Sequence, residues 1–236
     1  MHWDFAAILI VLGVVVPWHG RARMKNLMAL HAVTSADRLA LYASTIAMQW
    51  GIVVVVAWRA WARGISAAAL GLPILYPGRT AVTAIVLTAG LVAVQLIGLR
   101  HAAQLPEEKR GHLQHLAERL LPQRGTERLA FVAVAATAGV CEEFLYRGFV
   151  FAALAVGWQD FGTLSVFGSA ALFAMAHLYQ GRRGMATTFG AGLLFAAARV
   201  VTGSLVAGVV AHAAVDLVAG LLGARLLGRP RRGSNA

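Results

Sequence analysis

Six ionisable residues lie inside apolar stretches of this sequence, where charged side chains are rare. Each costs about 2.5–3.5 kcal/mol to place at the centre of a membrane helix, so each requires a partner or a function. The earlier apolar stretches carry little that is polar at depth except Gln49 and Gln95. We therefore expect the chemistry in the C-terminal half of the chain, at Glu142, Glu143, Arg147, His177, His212 and Asp216.

Helical spacing predicts how these residues pair. Glu143 and Arg147 are four residues apart and share a helix face, which predicts an intramembrane ion pair that ties two helices together. Glu142 then points about 100° away from Glu143, so the two carboxylates are free to have different roles. His212 and Asp216 also share a face. A carboxylate that accepts from one imidazole nitrogen fixes the tautomer and leaves the other nitrogen available.

Simpler interpretations stay open for three of these residues. Glu142 could be a protonated carboxyl in an apolar site, His177 could cap the turn at residues 179–181, and His212 could be a satisfied core histidine. Cys141 is the single cysteine, so no disulfide forms within the chain. A thiol nucleophile is not needed, because Glu142 and His177 could act as a dyad without it.

The composition predicts that membrane helices hold these residues. Of 236 residues, 59% are hydrophobic and only 13% are charged, and the mean hydropathy of +0.69 excludes a water-soluble domain. The sequence predicts an all-α, polytopic transmembrane bundle with seven spans, or eight if the long fourth block breaks. The apolar blocks are residues 3–18, 39–57, 80–99, 129–158, 161–178, 185–201 and 205–227.

Charge predicts the topology of these spans. With the N-terminus outside and seven spans, 16 of the 21 basic residues fall on the inner side and four on the outer side, as the positive-inside rule requires. Because the bases lie between apolar blocks, the net charge of +11 does not indicate nucleic acid. The polar stretch 100–128 carries leucines at helical spacing, which predicts a cytoplasmic amphipathic helix on the membrane surface: Leu113, Leu116, Leu120 and Leu121.

Two regions follow from this pattern. Residues 1–128 would hold the N-terminal spans and the amphipathic segment, and residues 129–236 would hold the spans with the ionisable residues and a basic C-terminal tail. The expected location is a prokaryotic cytoplasmic membrane, with the C-terminus in the cytoplasm if there are seven spans, and the lipid bilayer is an expected partner.

Three short motifs follow one another within residues 129–236. They are Glu142-Glu-Phe-Leu-Tyr-Arg147, Phe173-Ala-Met-Ala-His177 and His212-Ala-Ala-Val-Asp216. This order resembles the EExxxR, FxxxH and HxxxN or HxxxD motifs of the CAAX-processing and bacteriocin-processing (CPBP, or Abi) family of intramembrane proteases. Each motif lies on its own predicted span, and the resemblance covers about residues 129–227.

The resemblance implies that residues 129–236 form a catalytic membrane core, and that it hydrolyses a peptide bond inside the membrane without a covalent intermediate. The implied partner is a membrane-anchored protein or peptide substrate. Glu142 would be the general base on a water that His177 helps to position, and His212 with Asp216 would stabilise the oxyanion. Glu143 and Arg147 would be structural or would orient the substrate. Many members of the family have asparagine where this chain has Asp216, and an ionised aspartate cannot donate to an oxyanion. Asp216 would therefore be protonated, or it would orient His212 while the imidazole donates alone.

Two alternatives use the same residues. Glu142, His177 and His212 could supply three zinc ligands with an open fourth position, although catalysis without a cofactor is favoured because no paired-histidine HExxH spacing is present. A proton-coupled transporter could relay protons through buried carboxylates and histidines, but the internal repeat that would support it is not visible. A non-catalytic membrane scaffold is a third class. No residue selects between prenylated, bacteriocin-like or sorting-signal substrates.

Overall fold

The computed structural model describes residues 2–157 and 162–227, and the side chains of residues 107–113, 156 and 157 are not described. Over these ranges the chain is helical, with no strand. The helices are α1 (Trp3–Ala29), α2 (Ser35–Ala62), α3 (Pro77–Gln104), α4 (Glu107–Leu120), α5 (Gly125–Ala155), α6 (Thr163–Ala176), α7 (Gly181–Thr202) and α8 (Val206–Leu227).

The prediction of an all-α, polytopic bundle is confirmed, but fewer helices than the seven predicted have the length of a membrane span. Within the described ranges, six helices are long and apolar enough to cross a membrane, and α6, in the fifth apolar block, is a shorter apolar helix of 14 residues. These seven helices correspond to the seven apolar blocks, so the chain is a multi-pass membrane protein. The fourth block does not break in the described residues, because the backbone is helical without interruption from Gly125 to Gly157. The eight-span alternative therefore has no support there.

The first helix is longer than the sequence predicts. The apolar block ends near Trp18, but the helix continues through the basic residues to Ala29. Pro17 lies inside it, directly after a π-helical turn at Val11–Val15. Proline has no N–H and its ring clashes with the carbonyl four residues earlier, so one wider turn allows the helix to continue past it.

Small residues allow α5 and α8 to approach closely. A Cβ added to Gly139 of α5 would lie 2.9 Å from the carbonyl oxygen of Val209, and one added to Gly208 of α8 would lie 2.7 Å from the Glu143 carboxylate. Real Cβ atoms do not make such contacts. The pair of glycines therefore brings α5 and α8 within reach of each other's polar side chains, as small residues do in membrane helix packing.

Two sets of ion pairs fix the ends of the N-terminal helices. Arg38 of α2 donates to Glu127 of α5 at 3.0 Å, and both side chains are buried. At the opposite end of α2, Asp4 of α1 accepts from Arg59 and from Arg63. The Asp4 pairs hold α1 antiparallel to α2, and the Arg38 pair joins α2 to α5.

The predicted amphipathic helix exists as α4. Ala117 packs with Leu99 and Leu227 in a small core, so α4 lies against the ends of α3 and α8. Leu116, Leu120 and Leu121 are half-buried, whereas the side chain of Leu113 and the C-terminal tail beyond residue 227 lie outside the described parts. The position of α4 at a membrane surface and the orientation of the chain stay predictions.

Candidate active site

The three motif-bearing helices bring all six predicted residues into one cluster. Glu142 and Glu143 end the α-helical part of α5, immediately before a π-helical turn at Phe144–Val150 that carries Arg147. His177 ends α6, and His212 lies within α8, one turn before Asp216. π-Helical turns inside α-helices are frequent at functional sites, because the extra residue re-aims the neighbouring side chains.

One oxygen of the Glu142 carboxylate accepts a hydrogen bond, and the other has no hydrogen-bond partner among the described residues. Its Oε1 accepts a hydrogen bond from Gln49 Nε2 of α2 at 2.7 Å. Its Oε2 is buried without a hydrogen-bond partner among the described residues. That oxygen lies 3.9 Å from Nε2 of His177 and 3.9 Å from Nε2 of His212. The open oxygen therefore faces two imidazole nitrogens at distances too long for direct hydrogen bonds.

Each histidine has its Nδ1 engaged on the side away from Glu142. The Phe173 carbonyl oxygen lies 2.9 Å from Nδ1 of His177, and Glu143 Oε1 lies 3.1 Å from Nδ1 of His212. A carbonyl and an ionised carboxylate only accept, so we assign a proton to Nδ1 of both rings. In the neutral tautomer each Nε2 then carries a lone pair directed toward Glu142.

The partner of His212 differs from the sequence prediction. Helical spacing predicts that Asp216 accepts from one imidazole nitrogen, but Glu143 of the neighbouring helix occupies Nδ1 instead. Asp216 Oδ2 lies 3.7 Å from Nε2, outside hydrogen-bond distance. The reason is the close approach of α5 to α8 at Gly208, where the missing side chain leaves room for the Glu143 carboxylate.

The predicted ion pair between Glu143 and Arg147 is confirmed. Arg147 Nη1 donates to Glu143 Oε1 at 2.9 Å, with both side chains almost fully buried, and Arg147 Nη2 donates to the Gly192 carbonyl of α7 at 3.2 Å. Its guanidinium also lies 4.2 Å from the ring centre of Phe173 and 5.1 Å from that of Phe195. The pair links α5 to α7 and, through His212, to α8.

Aromatic rings surround the histidines. Phe195 stacks on His212 with a centroid distance of 5.1 Å and an interplanar angle of 13°. Phe173 makes edge contacts with His177 at 4.8 Å and with His212 at 5.5 Å. These rings restrict the imidazole orientations and cover one side of the cluster against water.

Two residues of this site are not predictable as site residues from the sequence. Gln49 is one of two glutamines at depth in the N-terminal spans, with Gln95, and that rarity is the available signal for its contact with Glu142. Phe195 has no signal, because one phenylalanine in an apolar span is not distinguishable from its neighbours. Cys141, in contrast, is buried in the main hydrophobic core, as a structural thiol would be.

Among the described residues, no group of three or more histidine, cysteine, aspartate or glutamate side chains is arranged to hold a metal ion. Glu142, His177 and His212 supply donors of the kind that zinc accepts, and Glu142 Oε2 lies 3.9 Å from each imidazole Nε2. Zinc therefore stays an alternative for experiment.

An apolar cavity of about 390 Å³ lies between α1, α6 and α7. Its lining includes Gly13 and Pro17 of α1, Met175 of α6 and Met185 of α7, together with Leu178. Met175 and Leu178 are sequence neighbours of His177, but no site residue is among the described lining residues.

Comparison with known proteins identifies the segment that holds the cluster. Residues 124–218 match the family model described as Rce1-like, type II CAAX prenyl endopeptidase Rce1-like. Comparisons with curated proteins and with solved structures gave no match. The matched range contains all six predicted site residues, whereas Gln49 lies outside it.

Proposed function

We propose that this chain is an intramembrane endopeptidase that hydrolyses a peptide bond with an activated water, because residues 124–218 match the family model described as type II CAAX prenyl endopeptidase Rce1-like. One observation carries the proposal. The open oxygen of Glu142 faces the Nε2 atoms of His177 and His212 at 3.9 Å each. Two polar atoms at that separation can each lie about 2.8 Å from one water.

The proposed reaction begins with a water between Glu142 and His177. Glu142 Oε2 removes a proton as the water oxygen attacks the scissile carbonyl carbon, while the lone pair on His177 Nε2 orients the water. The C–N bond then breaks, and Glu142 returns the proton to the leaving amine. Glu142 is regenerated, and no bond between protein and substrate forms.

His212 is proposed to stabilise the oxyanion. Donation from its Nε2 requires a proton there as well as on Nδ1, and the resulting imidazolium is balanced by Glu143 at 3.1 Å and Asp216 at 3.7 Å. A preorganised donor in a site that excludes water contributes strongly to such a transition state. In this arrangement Asp216 acts on the imidazole, and the oxyanion needs no hydrogen bond from it.

The proposed substrate is a membrane-anchored protein or peptide. The apolar cavity between α1, α6 and α7 includes Met175 and Leu178, which flank His177 in the sequence, and it suits an apolar side chain or lipid anchor of the substrate. The matched family is named for prenylated CAAX substrates, and this class is the first to test. Bacteriocin leaders and sorting segments of exported proteins are the other two classes.

The experiment compares purified wild type, Glu142→Gln, His177→Ala and Gln95→Leu in liposomes. The substrates are a farnesylated CAAX peptide, the same peptide without the lipid, and a mixed set of transmembrane peptides. We expect wild type and Gln95→Leu to cleave a substrate at the same rate, and the two site variants to lose cleavage. Equal rates in all four folded proteins would refute the assigned roles and would favour a transport assay.

The zinc alternative is tested with the same samples. Metal content is measured by elemental analysis, and cleavage is repeated after dialysis against a chelator. Under the proposed mechanism, activity survives dialysis and does not follow bound zinc. Activity that is lost with zinc and restored by it would keep the residues and replace the mechanism.

A further inference from the structure

Gln49 contacts the proposed catalytic base from outside the segment that matches the protease family. Its Nε2 donates to Glu142 Oε1 at 2.7 Å, across the packed faces of α2 and α5. We propose that Gln49 is a positioning residue for Glu142, a role that rests on the proposed function. The amide holds one carboxylate oxygen so that the other points at the histidines.

The geometry gives the amide a specific effect. A glutamate carboxylate rotates freely about its last side-chain bond, so an unheld Glu142 could present either oxygen to the histidines or turn away from them. With Oε1 held, Oε2 faces both Nε2 atoms. An amide also donates without placing a full positive charge beside the base. Orientation by such a group is what a catalytic side chain needs from its surroundings.

Packing alone does not explain a glutamine at this position. Gln49 lies in an apolar helix, and its own Oε1 is buried without a hydrogen-bond partner among the described residues. An unpaired buried amide oxygen is unfavourable compared with an apolar side chain of the same size. The donation to Glu142 is the contact that offsets this cost.

The test uses Gln49→Leu, with Gln95→Leu as the matched control on α3 and Glu142→Gln as the reference for loss of the base. Gln95 makes no hydrogen bond to another described residue, so its replacement removes an intramembrane amide away from Glu142. We expect Gln49→Leu to lower kcat by about 10- to 100-fold with KM unchanged, as for loss of a hydrogen bond to a charged group. Gln95→Leu should keep wild-type kcat.

A second measurement does not depend on a substrate. The infrared difference spectrum between wild type and Glu142→Gln isolates the carboxyl band of Glu142. Gln49→Leu should shift this band, and Gln95→Leu should leave it in place. An unshifted band in folded Gln49→Leu, or a wild-type kcat for that variant, would overturn the positioning role.

The two proposals fail in different ways. If wild type and Glu142→Gln cleave equally, the proposed function fails, and the infrared band still decides whether Gln49 orients Glu142. If only Glu142→Gln is inactive while Gln49→Leu matches wild type, the protease mechanism stands and the role of Gln49 is refuted. A fall in kcat shared equally by Gln95→Leu would also refute it, because the effect would not be specific to the contact.

Discussion

The Glu143 carboxylate joins α5 to α8 through His212 and, through Arg147, to α7. Glu143 accepts a hydrogen bond from Arg147 at 2.9 Å and lies 3.1 Å from Nδ1 of His212. Its side chain is 1% exposed, and that of Arg147 is fully buried. Glu143→Gln is nearly isosteric and keeps an oxygen that can accept from His212. It removes the negative charge that faces Arg147, so the substitution isolates the effect of charge.

The expected loss of stability follows from that burial. Removing one partner of a buried ion pair costs about 3–5 kcal/mol, because the other charge is left without compensation. Arg147 keeps its hydrogen bond to the Gly192 carbonyl and its contacts with the rings of Phe173 and Phe195. We therefore expect the lower end of the range, about 3 kcal/mol, or about 100-fold in the unfolding equilibrium.

Reversible unfolding in mixed micelles measures this free energy. Combining Glu143→Gln with Arg147→Met should recover most of the loss, because the uncompensated charge is then absent. Asp4→Asn is the matched control. It makes the same change of carboxylate to amide, but its arginine partners are 24% and 30% exposed, so water screens them and the loss should be smaller.

Two results would refute this reasoning. One is a free energy of unfolding of Glu143→Gln within about 1 kcal/mol of wild type, which would mean that the charge of Glu143 does not hold Arg147. The other is a double variant no more stable than the single one. Either result would also remove the argument that Glu143 is ionised when it binds His212.

Three further outcomes are expected. Asp216→Asn should keep kcat within about tenfold of wild type, because Nδ1 of His212 is held by Glu143; a complete loss would assign Asp216 a direct catalytic role. Gly208→Ala should lower kcat by a larger factor than it changes the unfolding equilibrium constant, because the new Cβ would lie 2.7 Å from Glu143 Oε2 and displace it. Unchanged kinetics would show that Glu143 does not position His212. Cys141→Ala should cost about 1 kcal/mol of stability with activity kept, and inactivation would indicate a thiol in the reaction.

Much of the site is predictable from residue types and spacing. An ionisable side chain in hydrocarbon is costly wherever the helix packs, so Glu142, His177 and His212 are conspicuous in the sequence whatever their neighbours in space. The i, i+4 pairing of Glu143 with Arg147 is also predictable, because both residues belong to one helix. Spacing also places Asp216 near His212, 3.7 Å from its Nε2, but a shared face does not decide that Glu143 is the carboxylate nearer to the ring.

Contacts between helices are not predictable in this way. Gln49 is 93 residues from Glu142 in the chain, and no periodicity relates the two. The glycine at position 208 has the pattern of ordinary helix packing, yet its missing side chain is what admits the Glu143 carboxylate to His212. The stacking of Phe195 on His212 likewise depends on the approach of α7 to α8.

Composition and spacing alone define the membrane helices, the three motifs and the residues expected to carry the chemistry. Hydrophobicity and helical period act locally along the chain, so both are visible in the amino-acid sequence. The packing of the folded helices establishes which oxygen of Glu142 is open, which carboxylate holds His212, and that Gln49 binds the proposed base. These features depend on distances between helices far apart in sequence, and close packing at small residues sets those distances.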